Sequence, residues 1–198
     1  MDDIVARAMQ KWPDVPDVFG WLRLDRRGNW RIKAKSGVFE RVGNASLIEF
    51  IGRNYGSDAG GRWFFQNGPQ RVFVTLDYTP WVYRLSDDQA SLAAHNGIPS
   101  DKIHALLVDE AGGLLVDCKA GIGVVNDRDL AGLVGRLSAE NPALEGGEAL
   151  LSLATAAKAM PLRLFGEEVA LRMVHSGAVP ALFGFVAAPV AAPGQPDC

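Results

Sequence analysis

The sequence predicts an α+β protein made of two tandem strand–strand–helix–strand–strand repeats, with antiparallel sheets packed on helices. The stretch Gly20 to Gly37 recurs 84 residues later as His104 to Gly121, and the turn glycines Gly28 and Gly112 coincide. After a one-residue gap the match continues at a shift of 83 through a helix-capping position, and a second hairpin then follows in each copy, in the second copy after an insertion of about fifteen residues. Because turn residues, helix caps and apolar positions recur in one order, the pattern indicates a duplication.

Length and composition are those of an ordered globular protein. The 198 residues are 48% hydrophobic and 22% charged, which supports a buried core and argues against disorder. The formal net charge of −3 does not favour nucleic acid or an anionic membrane as a partner. No run approaches about 18 apolar residues, and the first residues are acidic rather than basic and then apolar. We therefore expect a cytoplasmic protein without a membrane span.

The first half of the chain divides into a lead-in and the first repeat. Residues 1–17 form a predicted N-terminal helix and lead-in, with an acidic cap at its start and two prolines at its end. Residues 18–84 form the first repeat. Its first hairpin turns at Gly28, Asn44 caps its helix, and its second hairpin turns at Asn67–Gly68.

The second half contains a linker, the second repeat and a tail. Residues 85–102 are a predicted linker, and residues 103–186 are the second repeat with an inserted helix at about 146–158. This repeat ends in VPALF at 179–183, which is predicted to be an apolar strand. Residues 187–198 are rich in Pro and Ala and lack periodicity, so they are predicted to be a disordered tail.

Three stretches carry a resemblance to a known family: GWLRLDRRGNWR at 20–31, FIGRNY at 50–55 and GRWFFQNGPQRVFV at 61–74. They resemble a proteobacterial family of uncharacterised conserved proteins, and the resemblance covers most of residues 1–186. The architecture is also similar to a second uncharacterised bacterial family with a repeated motif, for which a signalling role has been suggested. Neither resemblance implies catalytic residues. The second repeat departs from the first because it has no tryptophan.

The residue types that often bind metals, catalyse reactions or bind phosphate do not have the spacing that such sites require. His95, His104 and His175 are scattered, without a ligand pattern for zinc, and no nucleophile motif is present. The glycine-rich stretch at 55–63 leaves a predicted helix and enters a strand, which is the reverse of a phosphate-binding loop. Cys118 falls in an apolar strand, as expected of an inert core thiol without a disulfide partner. The sequence therefore predicts no catalytic residue, no metal site and no cofactor.

The repeat separates a predicted core face from the opposite face of each sheet. Positions that are apolar in both copies define the core face: Leu22, Leu24, Trp30, Ile32, Val72, Val74 and Leu76, and in the second copy Leu106, Val108, Leu114, Val116, Val169, Leu171 and Met173. The opposite face of the first copy is aromatic and cationic, with Trp21, Arg23, Arg31, Lys33, Arg71 and Phe73. The equivalent positions in the second copy are Ala105, Leu107, Leu115, Asp117, Glu168 and Ala170.

The aromatic and cationic positions of the first copy are the predicted binding surface. Residues 20–41 contain seven basic and two acidic side chains, and arginine and tryptophan dominate binding hot spots. The first hypothesis is therefore a non-enzymatic binding or regulatory module, with an acidic protein segment or an anionic ligand as partner. A structural role is the competing hypothesis, in which Trp21 and Phe73 pack beneath the N-terminal helix or the linker.

Two further functions stay open at this point. One is a small-molecule enzyme with a site between the repeats that uses Arg53, Gln66, Asn67 or Arg71. The other is single-stranded nucleic-acid binding, because aromatic stacking combined with cations suits unstacked bases; the acidic net charge argues against it. The sequence leaves the oligomeric state open.

Overall fold

The computed structural model describes residues 1–139 and 160–193, and the chain forms two compact units. Unit 1 contains Met1–Pro80 and the chain from Phe183 onward, and unit 2 contains Trp81–Leu182. Both units consist mostly of strands with few helices, and there are two sheets. This confirms the predicted α+β class. Among the helices in the described ranges, none combines the length and apolarity needed to cross a membrane.

Unit 1 is built on a six-stranded sheet. Its elements in chain order are α1 (Asp3–Lys11), β1 (Val18–Leu24), β2 (Trp30–Lys33), β3 (Phe39–Arg41), α2 (Ala45–Arg53), β4 (Tyr55–Ser57), β5 (Trp63–Asn67) and β6 (Gln70–Leu76). The strand order is β3-β2-β1-β6-β5-β4. Neighbouring strands are antiparallel except β1 and β6, which run parallel at the centre of the sheet.

The central parallel pair corrects the prediction of purely antiparallel sheets. Strands β1-β2-β3 and β4-β5-β6 each form an antiparallel meander, and α2 lies between the two meanders in the chain. The meanders join through β1 and β6, where Leu22 is opposite Val74 and Leu24 is opposite Leu76. Turn signals in a sequence reveal only the local antiparallel pairs. Each meander also contains a third short strand, β3 or β4, that the sequence pattern misses.

Local signals set the turns and the helix cap. In the β1–β2 hairpin, the carboxylate of Asp25 accepts two backbone hydrogen bonds at 2.9 Å, and Gly28 adopts a φ of +78°. Asn44 caps α2 by accepting a hydrogen bond from Leu47 N–H at 3.0 Å. The turn at Asn67–Gly68 joins β5 to β6 in an antiparallel pair. The predicted hairpins and the Asn44 cap are therefore confirmed.

The predicted core face of unit 1 is buried at most positions. The fully buried members are Leu22, Leu24, Trp30, Val74 and Leu76. Ile32 is exposed, contrary to the prediction, because it lies on the short β2 opposite Glu40 of the edge strand β3. On α2, Phe50 contacts Phe65 of β5 edge-on, with 5.4 Å between ring centroids.

The chain returns to unit 1 after residue 182. Residues 184–193, the C-terminal segment, contact the sheet: Leu76 N–H donates to Ala187 O at 2.7 Å, and Val186 N–H donates to Gly61 O at 2.9 Å. Ala191 packs against a buried aromatic cluster of unit 1. Residues 187–193 thus make specific contacts within the stretch expected to be disordered. The rest of that stretch lies outside the described residues.

Unit 2 is built on an eight-stranded sheet. Its elements are β7 (Trp81–Leu85), β8 (Leu92–Ala94), β9 (Ile103–Asp109), β10 (Leu114–Cys118), β11 (Gly121–Val125), α3 (Leu130–Val134), β12 (Ser138–Ala139), β13 (Met160–Leu164), β14 (Glu167–Val174), a 3-10 turn (Ser176–Ala178) and α4 (Val179–Phe183). The strand order is β12-β13-β14-β9-β10-β11-β7-β8, with parallel pairing at β14–β9 and β11–β7. The run at 179–183 is therefore helical and not the predicted strand. The predicted inserted helix at 146–158 lies outside the described residues.

β7 pairs within unit 2, although the sequence pattern groups it with the first repeat. It runs parallel to β11, and β8, which comes from the predicted linker, pairs with β7. Gly123 of β11 makes this possible, because a Cβ there would lie 2.5 Å from the Tyr83 ring. The Tyr83 hydroxyl donates to Gly121 O at 2.8 Å, and Trp81 Nε1 donates to Ala120 O at 2.8 Å. The absence of a side chain at Gly123 therefore leaves room for Tyr83 and Trp81 of β7.

The sheet of unit 2 is buried on both faces. Leu106 and Leu114 point to one face and Leu107 and Leu115 to the other, and all four are buried. The positions that the sequence suggests are a plain outer face are therefore partly core. Met173, near the end of β14, is exposed, contrary to the prediction.

His95 makes the stability of unit 2 depend on pH. Burial beside the Trp81 ring lowers the pKa of His95 from 6.5 to about 3, and His95 Nδ1 accepts a hydrogen bond from Val82 N–H at 3.4 Å. The unfolded chain binds this proton at higher pH than the folded chain does. Stability contributed by neutral His95 is therefore lost as pH falls from about 6.5 towards about 3. Thermal unfolding across this range should show a smaller decline for His95→Gln than for the wild type, and equal declines would contradict the assignment.

Candidate binding site

The six residues of the predicted binding surface lie in three different places within unit 1. Four lie on β1 and β2, one is buried in the core and one lines a cleft near α1: Trp21, Arg23, Arg31 and Lys33; Phe73; and Arg71. The predicted surface is therefore not one continuous patch.

Trp21 projects from an irregular part of β1. The pairing of β1 with β6 shifts between Val18 and Leu22, and Gly20 within this stretch has a φ of +70°. The irregularity separates two aromatic side chains, since Phe19 is buried while Trp21 is 42% exposed. An exposed indole on a strand is a ready contact for a partner.

Three arginines stand side by side on neighbouring strands. Arg23 of β1 is directly opposite Arg31 of β2, which is directly opposite Arg41 of β3. The next pair along β2 and β3 is Lys33 with Phe39. We call Trp21, Arg23, Arg31, Lys33, Phe39 and Arg41 the cationic face. Like charges that are directly opposite each other in a sheet destabilise it, so this row opposes folding unless anions or a partner compensate it.

Acidic side chains neutralise only two of the three arginines in this row. Arg23 forms an ion pair with Asp77, and Arg31 Nε donates to Asp25 Oδ2 at 3.1 Å. Partial burial acts to raise the pKa of Asp25, but hydrogen bonds from its neighbours outweigh burial and the pKa is lowered, so Asp25 is an anion at neutral pH. Arg41 and Lys33 are exposed and have no ion pair with a described carboxylate. The cationic face therefore keeps a positive charge at its β3 side.

Phe73 is a core residue, which corrects its assignment to the binding surface. It is 1% exposed and stacks on Phe19, with ring centroids 4.6 Å apart, and it meets Phe64 edge-on at 5.8 Å. The guanidinium of Arg62 lies over its ring at 4.7 Å, and Ala191 packs on the cluster. Strand alternation places Phe73 on the same face of the sheet as Thr75, and Thr75 is opposite Arg23 of β1. The sequence pattern therefore assigns Phe73 to the face that carries Arg23. The C-terminal segment covers that side, which no local pattern reveals.

Arg71 lines a cleft of about 510 Å³ within unit 1. The cleft lies between the end of α1 with its following loop and the β5–β6 hairpin, and it is lined by Met9, Trp12, residues 13–17, Gln66, Pro69 and Arg71. The guanidinium of Arg71 lies 5.0 Å from the centroid of the Phe64 ring. Gln70 Nε2 donates to Pro16 O at 3.1 Å, which ties the loop to the hairpin.

Gln66 is the most buried side chain on the wall of this cleft. It is 1% exposed, and its Nε2 donates to Gly68 O at 2.9 Å. Its Oε1 is fully buried and has no hydrogen-bond donor among the described residues. A flipped amide would place Oε1 against the Gly68 carbonyl, so the orientation is fixed by that contact. A buried acceptor without a partner costs about 1–3 kcal/mol of stability.

The residues named for an enzymatic alternative do not form a reactive group. Arg53 Nε donates to Asp2 Oδ1 at 3.2 Å, while Asn67 sits at the exposed β5–β6 turn. Gln66 and Arg71 line the cleft described above. Across residues 1–139 and 160–193, no group of three or more His, Cys, Asp or Glu side chains is placed to hold a metal ion.

One cluster in unit 2 resembles a catalytic triad only in composition. The Ser176 hydroxyl and backbone N–H both donate to Glu110, and His175 Nδ1 lies 3.7 Å from Glu110 Oε1. Hydrogen bonds from Ser176 lower the pKa of Glu110 to about 2. A serine nucleophile needs its hydroxyl bonded to a base near neutrality. Here the hydroxyl is bonded to a carboxylate that caps the following turn, so the cluster is structural.

Sequence reasoning missed two residues of the cationic face and most of the cleft. Arg41 and Phe39 follow the turn at Gly37, and a hairpin prediction there would have placed Arg41 opposite Arg31. Trp12 belongs to the predicted lead-in at 1–17, and its position beside the β5–β6 hairpin depends on the tertiary fold.

Comparison with known proteins gives a family. The family model DUF2944, described as a protein of unknown function (DUF2946), matches residues 1–190. The chain is also similar to the crystal structure of a DUF1285 family protein from Silicibacter pomeroyi, with 12% identity and a TM-score of 0.49 over 90% of this chain and 98% of that chain. No curated protein gives a significant match. The predicted resemblance to an uncharacterised family is confirmed, and the chain belongs to the DUF2944 family of proteins of unknown function.

Proposed function

We propose that this protein is a non-enzymatic binding or regulatory module that uses the cationic face to bind an acidic segment of a partner protein in the cytoplasm. The observation that carries the proposal is the row of Arg23, Arg31 and Arg41 in direct cross-strand register. Such a row destabilises the free sheet. An acidic partner would neutralise it and gain charge-assisted hydrogen bonds from the guanidinium groups.

The geometry of the row favours an extended protein segment over other anions. The three arginines and Lys33 are spread over three adjacent strands, so their charges form a flat surface and not a pocket for a small anion. Trp21 and Phe39 supply apolar contacts beside the charges, and the Arg23 guanidinium lies 5.4 Å from the Phe39 ring centroid. The net charge of −3 disfavours a nucleic-acid backbone as the partner.

Protection of an exposed sheet edge is the alternative explanation of Arg41. Charged side chains on edge strands prevent pairing with other chains, and β3 is at the edge of its sheet. Edge protection accounts for a charge on β3, but it does not account for the arginines on β2 and β1 behind it. Arg23 and Arg31 also form ion pairs with Asp77 and Asp25, so the charges left for an acidic partner are chiefly those of Lys33 and Arg41.

We also infer that the two units arose by duplication. Both contain the same order of six strands, β3-β2-β1-β6-β5-β4 and β11-β10-β9-β14-β13-β12, with one parallel pair at the centre. The first hairpin turns support the inference. Asp109 accepts hydrogen bonds from Ala111 N–H and Gly113 N–H, in the manner of Asp25, and Gly112 has a φ of +80°.

The duplication gives the second copy a different role. At the shift of 84, Arg23 corresponds to Leu107 and Arg31 to Leu115, and both leucines are buried. The sheet face that carries Arg23 and Arg31 in unit 1 is therefore part of the core in unit 2. The binding surface of the proposal belongs to unit 1 alone.

Charge reversal at the uncompensated end of the cationic face tests the proposal. We expect Lys33→Glu/Arg41→Glu to weaken binding of short fluorescein-labelled peptides rich in Asp and Glu by roughly tenfold or more, because electrostatic attraction becomes repulsion. Fluorescence anisotropy measures the affinity, and added salt should weaken wild-type binding. Arg23 and Arg31 are left intact, since their ion pairs with Asp77 and Asp25 contribute to the fold.

The matched control reverses two exposed cations of unit 2. Lys119→Glu/Arg128→Glu changes the net charge by the same amount away from the cationic face, so its binding should equal that of the wild type. Equal weakening by both double variants would show that overall charge governs binding. Tighter binding of single-stranded oligothymidylate, or of inorganic phosphate, than of every peptide would replace the proposed partner.

A further inference from the structure

We propose that the acidic partner segment binds to unit 1 as an added β-strand, parallel to β3 along its outer edge. Strand addition rests on the function proposed for the cationic face and specifies how that face holds its partner. The two sheets differ at this edge. In unit 2 the strand β7 pairs with the outer edge of β11, whereas β3 is the last strand of its sheet in the described part of the chain.

β3 and β11 have the same position and register in their sheets. Each is the third strand of an antiparallel meander, in the orders β3-β2-β1 and β11-β10-β9. Arg41 is opposite Arg31 in unit 1. Val124 is opposite Leu115 in unit 2, and these positions correspond to the arginine pair at the shifts of 83 and 84. β7 runs parallel to β11 on its far side, which indicates the kind of strand that the outer edge of β3 accepts.

The backbone of β3 turns alternate polar groups towards its outer edge. Val42 N–H donates to Trp30 O at 2.9 Å, so the polar groups of Val42 point towards β2. Because these directions alternate along a strand, the N–H and C=O groups of Phe39 and Arg41 point outward. Arg31 Nη1 approaches Phe39 O at 3.5 Å, which is longer than a strong hydrogen bond. An extended segment alongside β3 therefore gains main-chain hydrogen bonds.

Ile32 supplies exposed apolar surface next to this edge. It is 39% exposed, and Glu40 lies opposite it on β3. Val116, the equivalent residue of unit 2, is 0% exposed. Gly123 lies opposite Val116, and the Tyr83 ring of β7 packs on Gly123. An added strand with an apolar side chain on this face covers Ile32, as β7 covers the same face of unit 2.

The charges at this edge select an acidic segment. Residues 30–42 contain four basic side chains and one acidic side chain. Arg41 lies on the cationic face, while Glu40 points to the other face, where it disfavours a second acidic group. The segment that fits therefore alternates acidic side chains beside Arg41 with apolar ones beside Ile32. Pairing with β3 of a second copy of this chain would bring like charges together instead.

The parallel arrangement fixes which nitrogens of the segment donate to β3. In unit 2, Val82 is opposite Val124, and its N–H donates away from β11 to His95 Nδ1 at 3.4 Å. The segment residues whose side chains lie beside Arg41 therefore have N–H groups that point away from β3. The residues between them donate to β3. In an antiparallel pair this assignment is reversed.

N-methylated peptides test strand addition without changing any charge. The probe is fluorescein-labelled Glu-Val-Glu-Val-Glu-Val-Glu, and fluorescence anisotropy with the full chain measures its affinity. We expect methylation of the valine nitrogens to weaken binding by roughly tenfold or more, because hydrogen bonds to β3 are lost. Methylation of the glutamate nitrogens is the matched control and should leave the affinity unchanged.

Phe39→Pro tests the same hydrogen bonds from the side of the protein. It removes an outward N–H at an edge position, where proline is tolerated. Phe39→Ala is its matched control, because it removes the same ring and keeps the N–H. We expect Phe39→Pro to bind the unmethylated peptide roughly tenfold more weakly than Phe39→Ala does. The methylated peptides bind to the wild-type chain, so they decide the question even if Phe39→Pro folds poorly.

The outcomes separate strand addition from the proposed function. Binding that Lys33→Glu/Arg41→Glu weakens, but that neither methylation changes, would keep the cationic face as the site and overturn strand addition. Weakening by glutamate methylation instead would overturn the parallel orientation. If no acidic peptide binds, the proposed function and strand addition both fail. A dimer in sedimentation that Phe39→Pro dissociates would then identify a second copy as the occupant of this edge.

Discussion

Phe73→Ala is expected to lower the free energy of unfolding of unit 1 by about 3–5 kcal/mol, the usual cost of removing a fully buried phenylalanine. Phe73 is 1% exposed and lies between Phe19 and Phe64 beneath the C-terminal segment. Chemical denaturation followed by tryptophan fluorescence measures the effect, since four of the five tryptophans lie in unit 1.

Phe39→Ala is the matched control for this measurement. Phe39 is an aromatic residue on the cationic face, but it is only half-buried on the edge strand β3. Its replacement should cost no more than about 1 kcal/mol. If the two variants lost the same small amount of stability, Phe73 would not be a core residue and the surface role suggested by its sequence position would stand.

Gly61→Ala is expected to destabilise unit 1 by more than about 2 kcal/mol and to release the C-terminal segment. Gly61 has a φ of +73°, where a side chain is strained, and an added Cβ would overlap Gly184 O and lie 3.1 Å from Phe185 Cα. Backbone atoms cannot move aside as a flexible side chain can. Hydrogen exchange should therefore become faster at Leu76 N–H and Val186 N–H, which both bond across this contact.

Gly37→Ala is the control for Gly61→Ala, because it introduces the strain of a left-handed backbone without the clash against Gly184. Gly37 has a φ of +84°, but an added Cβ would meet no atom within 4 Å. This variant should lose only about 1–2 kcal/mol from the left-handed backbone, with exchange at Leu76 and Val186 unchanged. Faster exchange in both variants would mean that general destabilisation, and not the Gly61–Gly184 contact, controls the segment.

The parts of the fold that the sequence predicts correctly are those set by neighbouring residues. The turns at Gly28 and Asn67–Gly68 and the cap at Asn44 each depend on a few consecutive positions with a specific backbone requirement. The alternation of β1 and β6 likewise places Leu22, Val74 and their neighbours in the core.

The parts that the sequence does not predict depend on distant partners. β1 pairs in parallel with β6, and β7 pairs in parallel with β11. The strands of each pair are distant in the sequence, so no local sequence pattern predicts that they pair. Residues 179–183 illustrate the ambiguity of a short apolar run, which fits a buried strand and a helical turn equally well; the structure makes it α4.

The candidate sites show the same division. Strand alternation assigns Trp21, Arg23, Arg31 and Lys33 to one face, and of these Arg23 and Arg31 are directly opposite each other in the sheet. It also assigned Phe73 to that face, where the C-terminal segment covers it. The sequence does not predict the cleft, because α1 with its following loop and the β5–β6 hairpin are brought together only by the tertiary fold.

The return of the chain to unit 1 has a consequence for the order of events on the ribosome. Leu76 and its partner Ala187 are separated by the whole of unit 2, so the partner is synthesised roughly 110 residues later, which is on the order of 5–20 s. During that interval the ring cluster of Phe19, Phe64 and Phe73 is without its Ala191 cover. Unit 2 is continuous in the chain and can fold first as it emerges. Unit 1 is therefore the half of the nascent chain that is exposed longest to chaperones and to aggregation.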